Sequence, residues 1–220
     1  MTRKASVSVP DPVPVARGPI RPAEPVVVSG WAVEGTARST AALTLADLSA
    51  LAKTLVRAPA SGQMAAALGV PFGRAARDAG GALVTGSGPG EWTIIGAIGE
   101  GAAQRARLEA TAAAITGGEL ISVLDQTHGR ALIRLTGPAA ADLLAKVCAI
   151  DLADHRTPNG MALRTSIAKL VTDVVRDDQQ AVPSYLLHCE RSYGQYLNDA
   201  LLDAGMEFGA EPRCFPGLAH

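Results

Sequence analysis

The sequence predicts an α+β protein: two related β-α-β-β-α lobes, each a small antiparallel sheet covered by helices, behind a disordered Pro-rich N-terminal arm. Three observations predict it. Residues 1–25 hold six of the fourteen prolines, which remove backbone donors and favour extended geometry. Beyond them, short β-rich runs alternate with helical stretches whose apolar residues share one face. The order strand, helix, strand, strand, helix then occurs twice, with Leu55-Val56-Arg57 matching Leu132-Ile133-Arg134 and Val70 matching Val147 at one offset. The expected boundaries are an arm over residues 1–40, a first lobe over 41–118, a second over 119–211 and a tail over 212–220.

In the first lobe, Thr54 to Arg57 reads as a strand. Ser61 is placed to cap a short helix carrying Met64, Ala67 and Leu68, and Gly69 to end it. Leu83 to Thr85 and Trp92 to Ile95 read as strands around a Gly86–Gly90 hairpin turn. A helix is expected over 100–115, with Leu108, Ala112 and Ile115 on one face. In the second lobe, Ala131 to Leu135 is a strand, and Gly137-Pro138 opens a helix with an apolar stripe at Ala140, Leu143, Leu144 and Val147. Strands follow over 161–167, 170–175 and 184–188. The last helix carries a capping-box pattern at Ser192 and Gln195, a stripe of Tyr193, Tyr196, Leu197, Ala200 and Leu201, and a stop at Gly205.

Composition excludes several functions. Hydrophobic residues make up 48% and charged residues 19%, which is globular. The net charge is −1 and aromatics are 4%. A nucleic-acid binder wants basic patches and stacking platforms, so none is expected. No membrane span is expected either, because no apolar run approaches the ~20 residues one requires. The N-terminus lacks the apolar core of a secretory signal. Three scattered cysteines, Cys148, Cys189 and Cys214, form no disulfide framework or metal knuckle, and a cytoplasmic location fits them.

Catalytic signals are few. Gly86-Ser87-Gly88-Pro89-Gly90 is followed by a β-rich run, whereas a phosphate cradle needs a helix N-terminus there. No nucleophile elbow or metal-spaced cluster occurs. His128 reads as a turn histidine, His188 as a sheet residue and Cys148 as a small buried hydrophobe. No residue is assigned as catalytic or metal-ligating. Side chains alone cannot accept a hydride, so any redox centre is expected on another chain.

The run Asp125-Gln126-Thr127-His128-Gly129-Arg130-Ala131-Leu132-Ile133-Arg134-Leu135-Thr136-Gly137 resembles a run of the folate-binding aminomethyltransferase superfamily. Within that superfamily the sequence is most similar to the gamma-subunit family of heterotetrameric sarcosine oxidases. The same family is suggested by Gly88-Pro89-Gly90-Glu91-Trp92, Cys148-Ala149-Ile150-Asp151-Leu152, and Arg191-Ser192-Tyr193 through Leu197. The resemblance spans roughly residues 45–209. It implies an accessory subunit of an oxidase that demethylates sarcosine to glycine, with peroxide formed and the one-carbon unit passed to tetrahydrofolate. It implies alpha-, beta- and delta-like partner subunits carrying FAD, FMN, NAD, tetrahydrofolate and zinc, and no cofactor in this chain. Asp151 matches the aspartate of the aminomethyltransferases' Asn-Asp pair, whereas Ile150 stands where the asparagine would be. Asp151 is thus the one folate-binding candidate, against the plainer reading of a loop-fixing aspartate. The alternative to the subunit reading is a free-standing folate-binding, aminomethyltransferase-like protein.

Overall fold

The computed structural model describes residues 14–35 and 39–216. Among these, fourteen strands run in chain order, with four α-helices between them. They are β1 (Ala16–Arg17), β2 (Pro25–Val28), β3 (Trp31–Glu34), β4 (Thr44–Asp47), β5 (Leu51–Arg57), α1 (Gln63–Leu68), β6 (Ala75–Arg77), β7 (Leu83–Gly88), β8 (Glu91–Ile98) and α2 (Gly101–Ala114). They continue as β9 (Ser122–Asp125), β10 (Arg130–Thr136), α3 (Ala140–Val147), β11 (Ala162–Ile167), β12 (Leu170–Arg176), β13 (Ser184–Glu190), α4 (Gly194–Gly205) and β14 (Glu211–Arg213).

Two sheets dominate. One has the order β11-β12-β13-β10-β4-β14 and the other β6-β7-β8-β5-β9. Alternation along each strand divides their residues between two faces. On the first sheet Ile133, Leu135, Leu187 and Val174 pack under Leu143, Leu144, Leu197 and Leu201 of α3 and α4. On the second, Val56, Val84, Trp92 and Ile94 pack with Met64 of α1 and Leu108 of α2. The opposite faces meet each other through Ala46, Leu132, Ala162, Val175 and Leu186 against Leu83 and Ile95. The layers therefore run helix, sheet, sheet, helix.

The α+β class and the small antiparallel sheets are as predicted, but the lobe boundaries are not. β4 precedes β5 in the chain yet pairs with β10, and β9 precedes β10 yet pairs with β5. Each half gives its first strand to the other half's sheet. A division between 118 and 119 therefore splits both sheets, and the tail from 212 contributes to β14, which lies parallel to β4. A matching pair of turns locks the exchange. Asp47 Oδ1 accepts the Ser49 N–H at 2.8 Å, and Asp125 Oδ1 accepts the Thr127 N–H at 2.8 Å. Ser49 Oγ then accepts the Leu132 N–H, and Thr127 Oγ1 accepts the Lys53 N–H, each at 3.1 Å. Asx and hydroxyl turns of this kind hold a chain reversal without glycine. The β6 strand, absent from the sequence reading, brings each half to three strands between its helices.

The arm needs correction too. Residues 14–35 are extended but ordered, in a three-stranded sheet of order β1-β3-β2. Val26 to Val28 pair with Trp31 to Val33 across a Ser29-Gly30 turn at positive φ. Trp31 and Val33 supply apolar area to the inter-sheet core, which offsets the ordering entropy that prolines alone would leave uncompensated. Pro25 sits at the first residue of an edge strand, where no ladder donor is lost. The arm's residues 1–13 lie outside the described residues. The segment 16–21 is strapped onto the start of α4. Arg191 donates to the Arg17 carbonyl at 2.6 Å, and Gln195 Oε1 accepts the Arg21 N–H at 2.9 Å. Gly194 lets the strap approach: a Cβ there would lie 2.6 Å from Pro19 Cβ and 2.9 Å from Ala131 Cβ. Gly194→Ala is expected to cost about 1–3 kcal/mol and to speed trypsin cleavage after Arg17, read by mass spectrometry of the digest.

Three local expectations differ. Gln195 is spent on the strap, so the Ser192/Gln195 capping box does not form; a 3-10 turn (Arg191–Tyr193) precedes α4 instead. Ser61 does not cap α1; the Glu119 carboxylate accepts the N–H groups of Gln63 and Met64. Gly86, Ser87 and Gly88 lie inside β7, whose register shifts between Thr85 and Gly88, and Val70 lies beyond the end of α1.

Candidate functional site

A group of charged residues gathers between the sheets. Strand parity sends Arg130, Asp173, His188 and Glu190 of one sheet, and Lys53, Arg57 and Glu91 of the other, into the shared layer. Arg164 on β11, opposite Asp173, joins them. They form a chain of alternating charge across the gap. Arg57 pairs with Glu91 at 2.9 Å, Glu91 with Arg164 at 3.2 Å, Arg164 with Asp173 at 2.6 Å, and Asp173 with Arg130 at 3.4 Å. Arg130 closes the chain on Glu190. Asp173, buried in the layer, is its hub. Burial alone would raise its carboxyl, but the two neighbours His188 and Arg164 outweigh that and hold it below the usual carboxylate range.

His188 lies behind Asp173, with Nδ1 3.6 Å from Oδ2. Burial lowers its pKa, which keeps the ring neutral. Its Nε2 and the Arg130 Nε are buried and have no partner among the described residues. Lys53 is fully buried, and its Nζ donates to the Ser49 and Leu51 carbonyls at 2.6 and 2.8 Å. Burial lowers its pKa to about 8, partly countered by Asp47 and Asp125. The folded state thus releases this proton before the unfolded state does. Stability should rise with pH between about 8 and the ordinary 10.5. Lys53→Met should abolish that rise and, because lost hydrogen bonds offset relieved desolvation, change stability at neutral pH by less than about 1 kcal/mol. Urea titrations across that pH range read both effects.

The seam opens at one end as a cleft of about 250 Å³ lined by Leu55, Thr93, Val171 and the charged chain. Every charge in it has an opposite partner in the chain, so it presents neither a free acid nor a free base. Among the described residues no three His, Cys, Asp or Glu side chains converge as metal ligands. No described helix is long and apolar enough to cross a membrane. The Gly86–Gly90 run lies within the β7–β8 hairpin and leads to no helix N-terminus, so it forms no phosphate cradle.

The residues singled out in the sequence are scattered. Asp151 lies in the loop after α3 with its side chain 59% exposed, accepts the Ala153 N–H at 3.0 Å, and faces His155 at 3.9 Å. His128 stacks on Trp31, ring centroids 4.5 Å apart, so it joins the N-terminal sheet to the β9–β10 turn. His188 is on β13, and Cys148, Cys189 and Cys214 are buried and free. Burial pushes the Cys189 thiol up to about 11, away from reactivity. Tyr193 and Tyr196 are half exposed beside the buried Leu197 and Leu201. The sequence reading missed Asp173, Arg164, Arg130 and Lys53. Their signal was parity, clearest where a charge occupies an inward position between apolar neighbours, as in Val171-Asp173-Val175 and Leu51-Lys53-Leu55.

The sequence profile of the sarcosine oxidase, gamma subunit family matches residues 55–207. The chain belongs to that family. Sarcosine oxidase subunit gamma of Corynebacterium sp. strain P-1 is 31% identical over 125 residues, 57% of this chain and 57% of that protein. The same subunit of Corynebacterium sp. strain U-96 is 31% identical over 151 residues, 67% of this chain and 69% of that one. This gamma-subunit family member therefore matches the first relative over little more than half its length. A chain of heterotetrameric sarcosine oxidase from Corynebacterium sp. U-96, solved with pyrrole 2-carboxylate, superposes with a TM-score of 0.66 at 28% identity, covering 80% of this chain and 89% of that one. Aminomethyltransferase T of the glycine cleavage system from Bartonella henselae shares the fold, with a TM-score of 0.66 at 17% identity over 87% of this chain and 55% of its own.

Proposed function

We propose that the chain is an accessory subunit of a heterotetrameric sarcosine oxidase and contributes surface and structure, while alpha-, beta- and delta-like partners carry the redox centres. In this reading the complex demethylates sarcosine to glycine, reduces oxygen to peroxide and passes the one-carbon unit to tetrahydrofolate. Membership of the gamma-subunit family carries the reading. The cleft at the seam's open end supports it, since each of its charged side chains is paired with an opposite one, and side chains supply no electron acceptor. Asp151 is proposed to fix its own loop rather than hold a folate. A tagged copy recovered from its native host should bring down flavin-bearing chains in fixed ratio. Recovery as a lone monomer contradicts the reading. Saturable heat on titration with a reduced folate, lost in Asp151→Ala, contradicts the assignment of Asp151.

A further inference from the structure

The two halves are matched strand for strand except at one edge. β4 and β9 are equivalent: each is donated to the other half's sheet and each ends in an Asp-x-Ser/Thr turn. β4 carries a further strand on its outer side, β14, running parallel with Glu211 opposite Thr44 and Arg213 opposite Ala46. β9 carries nothing there among the described residues, so its sheet ends at five strands where the other has six. An open edge presents a row of unpaired N–H and C=O groups, which proteins ordinarily cover, shorten or charge.

On its inter-sheet side this edge is flanked by apolar side chains, whereas the exposed Asp125 of β9 lies on the α2 side, opposite Thr54 and 3.9 Å from where a Cβ of Gly101 would stand. Leu120, just before β9, is 88% exposed, and Leu124 on it is 47% exposed. Val171, 72% exposed, stands at the mouth of the neighbouring cleft. All three gather about the Arg57–Glu91 pair: Leu120 shares a shallow groove of about 570 Å³ with both residues, Val171 shares the cleft with both, and Leu124 lies opposite Leu55 of that cleft. Arg57, Arg130 and Arg164 are each neutralised by Glu91, Asp173 or Glu190. The inter-sheet side of the edge thus offers main-chain pairing and apolar pockets with no net charge to match, and the occupant complementary to that side is an uncharged segment.

We infer that the open edge of β9 receives an extended, uncharged segment of a partner subunit, which pairs in parallel with β9 and completes the five-stranded sheet as β14 completes the other. Its alternate side chains seat on Leu120, Leu124 and Val171. This rests on the accessory-subunit reading and adds the place and mode of docking.

Hydrogen exchange, followed by mass spectrometry on the isolated chain and on the complex from its native host, tests it together with the double variant Leu120→Lys, Leu124→Lys and the control Met206→Lys. The expected result is slowed exchange across residues 121–125 in the complex, loss of co-purification for the double variant, and normal co-purification for the control. Both lysines replace exposed side chains, and an unchanged circular dichroism melt verifies folding. Assembly of the double variant as before, with residues 121–125 exchanging equally in both states, overturns the docking site and leaves the accessory reading standing. Failure of the unmodified chain to assemble overturns both. A doubled mass of the isolated chain, with protection at β9, identifies a second copy as the occupant and also overturns the inference.

Discussion

Asp173→Ala should lower the unfolding free energy by about 1–3 kcal/mol, because it removes the buried acceptor shared by Arg164, Arg130 and His188, while Glu91 and Glu190 still pair with the two arginines. Urea unfolding should show a lower midpoint with an unchanged slope. Asp173→Asn keeps acceptor geometry without charge and should fall between the two. The seam also sets the response to acid. Asp173 has a depressed pKa, so its contribution is complete above the ordinary value of 3.8 and is lost as pH falls through the lower folded value. His188 is buried neutral with a lowered pKa, so below the ordinary 6.5 the unfolded state takes up the proton first and stability also falls. The loss should therefore begin near pH 6.5 and deepen below 3.8. His188→Leu should remove the upper part of that curve and leave the lower part.

Gly137→Ala should be comparably damaging. Gly137 follows β10 at φ 150°, a backbone region that side chains rarely adopt. A Cβ there would collide with the Ala42 carbonyl oxygen and approach Leu43 Cα to 2.8 Å, and both are backbone atoms that cannot rotate away. Leu43 is buried in the core under α3 and α4, so the displaced segment would drag β4 from its place beside β10. Strain and overpacking together are expected to cost about 2–5 kcal/mol, read as a lower melting temperature. Gly129→Ala is the comparison, because a Cβ there would meet nothing nearer than the Gln126 carbonyl oxygen at 3.7 Å.

The α+β class was legible because it rests on local periodicity. The α3 stripe of Ala140, Leu143 and Leu144 and the parity of Leu132 to Leu135 are written in consecutive residues. The repeated order of elements was legible as well, but the residue match was two positions out: Asp47 lies opposite Ile133 and its equivalent Asp125 opposite Thr54, so the counterpart of Leu55 is Arg134 and not Leu132. The strand exchange was not. Whether Thr44 to Asp47 pairs with β5 or β10 depends on long-range hydrogen bonds, and both choices bury the same Leu45. The matching Asp47-Leu48-Ser49 and Asp125-Gln126-Thr127 turns were the available hint.

The N-terminal sheet was hidden for a different reason. Prolines argue for extension, and β2 is extended; what orders it is the burial of Trp31 and Val33, a tertiary effect. The Ser192/Gln195 cap failed because Gln195 found a longer-range partner in Arg21. The charged seam lay at inward strand positions that a composition-based reading passes over. Lys53 and Asp173 between apolar neighbours were the clue to it, since buried charges require partners.

Reactivity, in this account, belongs to the assembly, and the chain supplies a surface. Sarcosine-dependent peroxide formation tests that claim most directly, measured for the purified chain alone, with and without added flavin, and for the complex that contains it. The account predicts no turnover by the chain alone under either condition and turnover by the complex. Sarcosine oxidation by the isolated chain, or stoichiometric flavin bound to it, would contradict the claim.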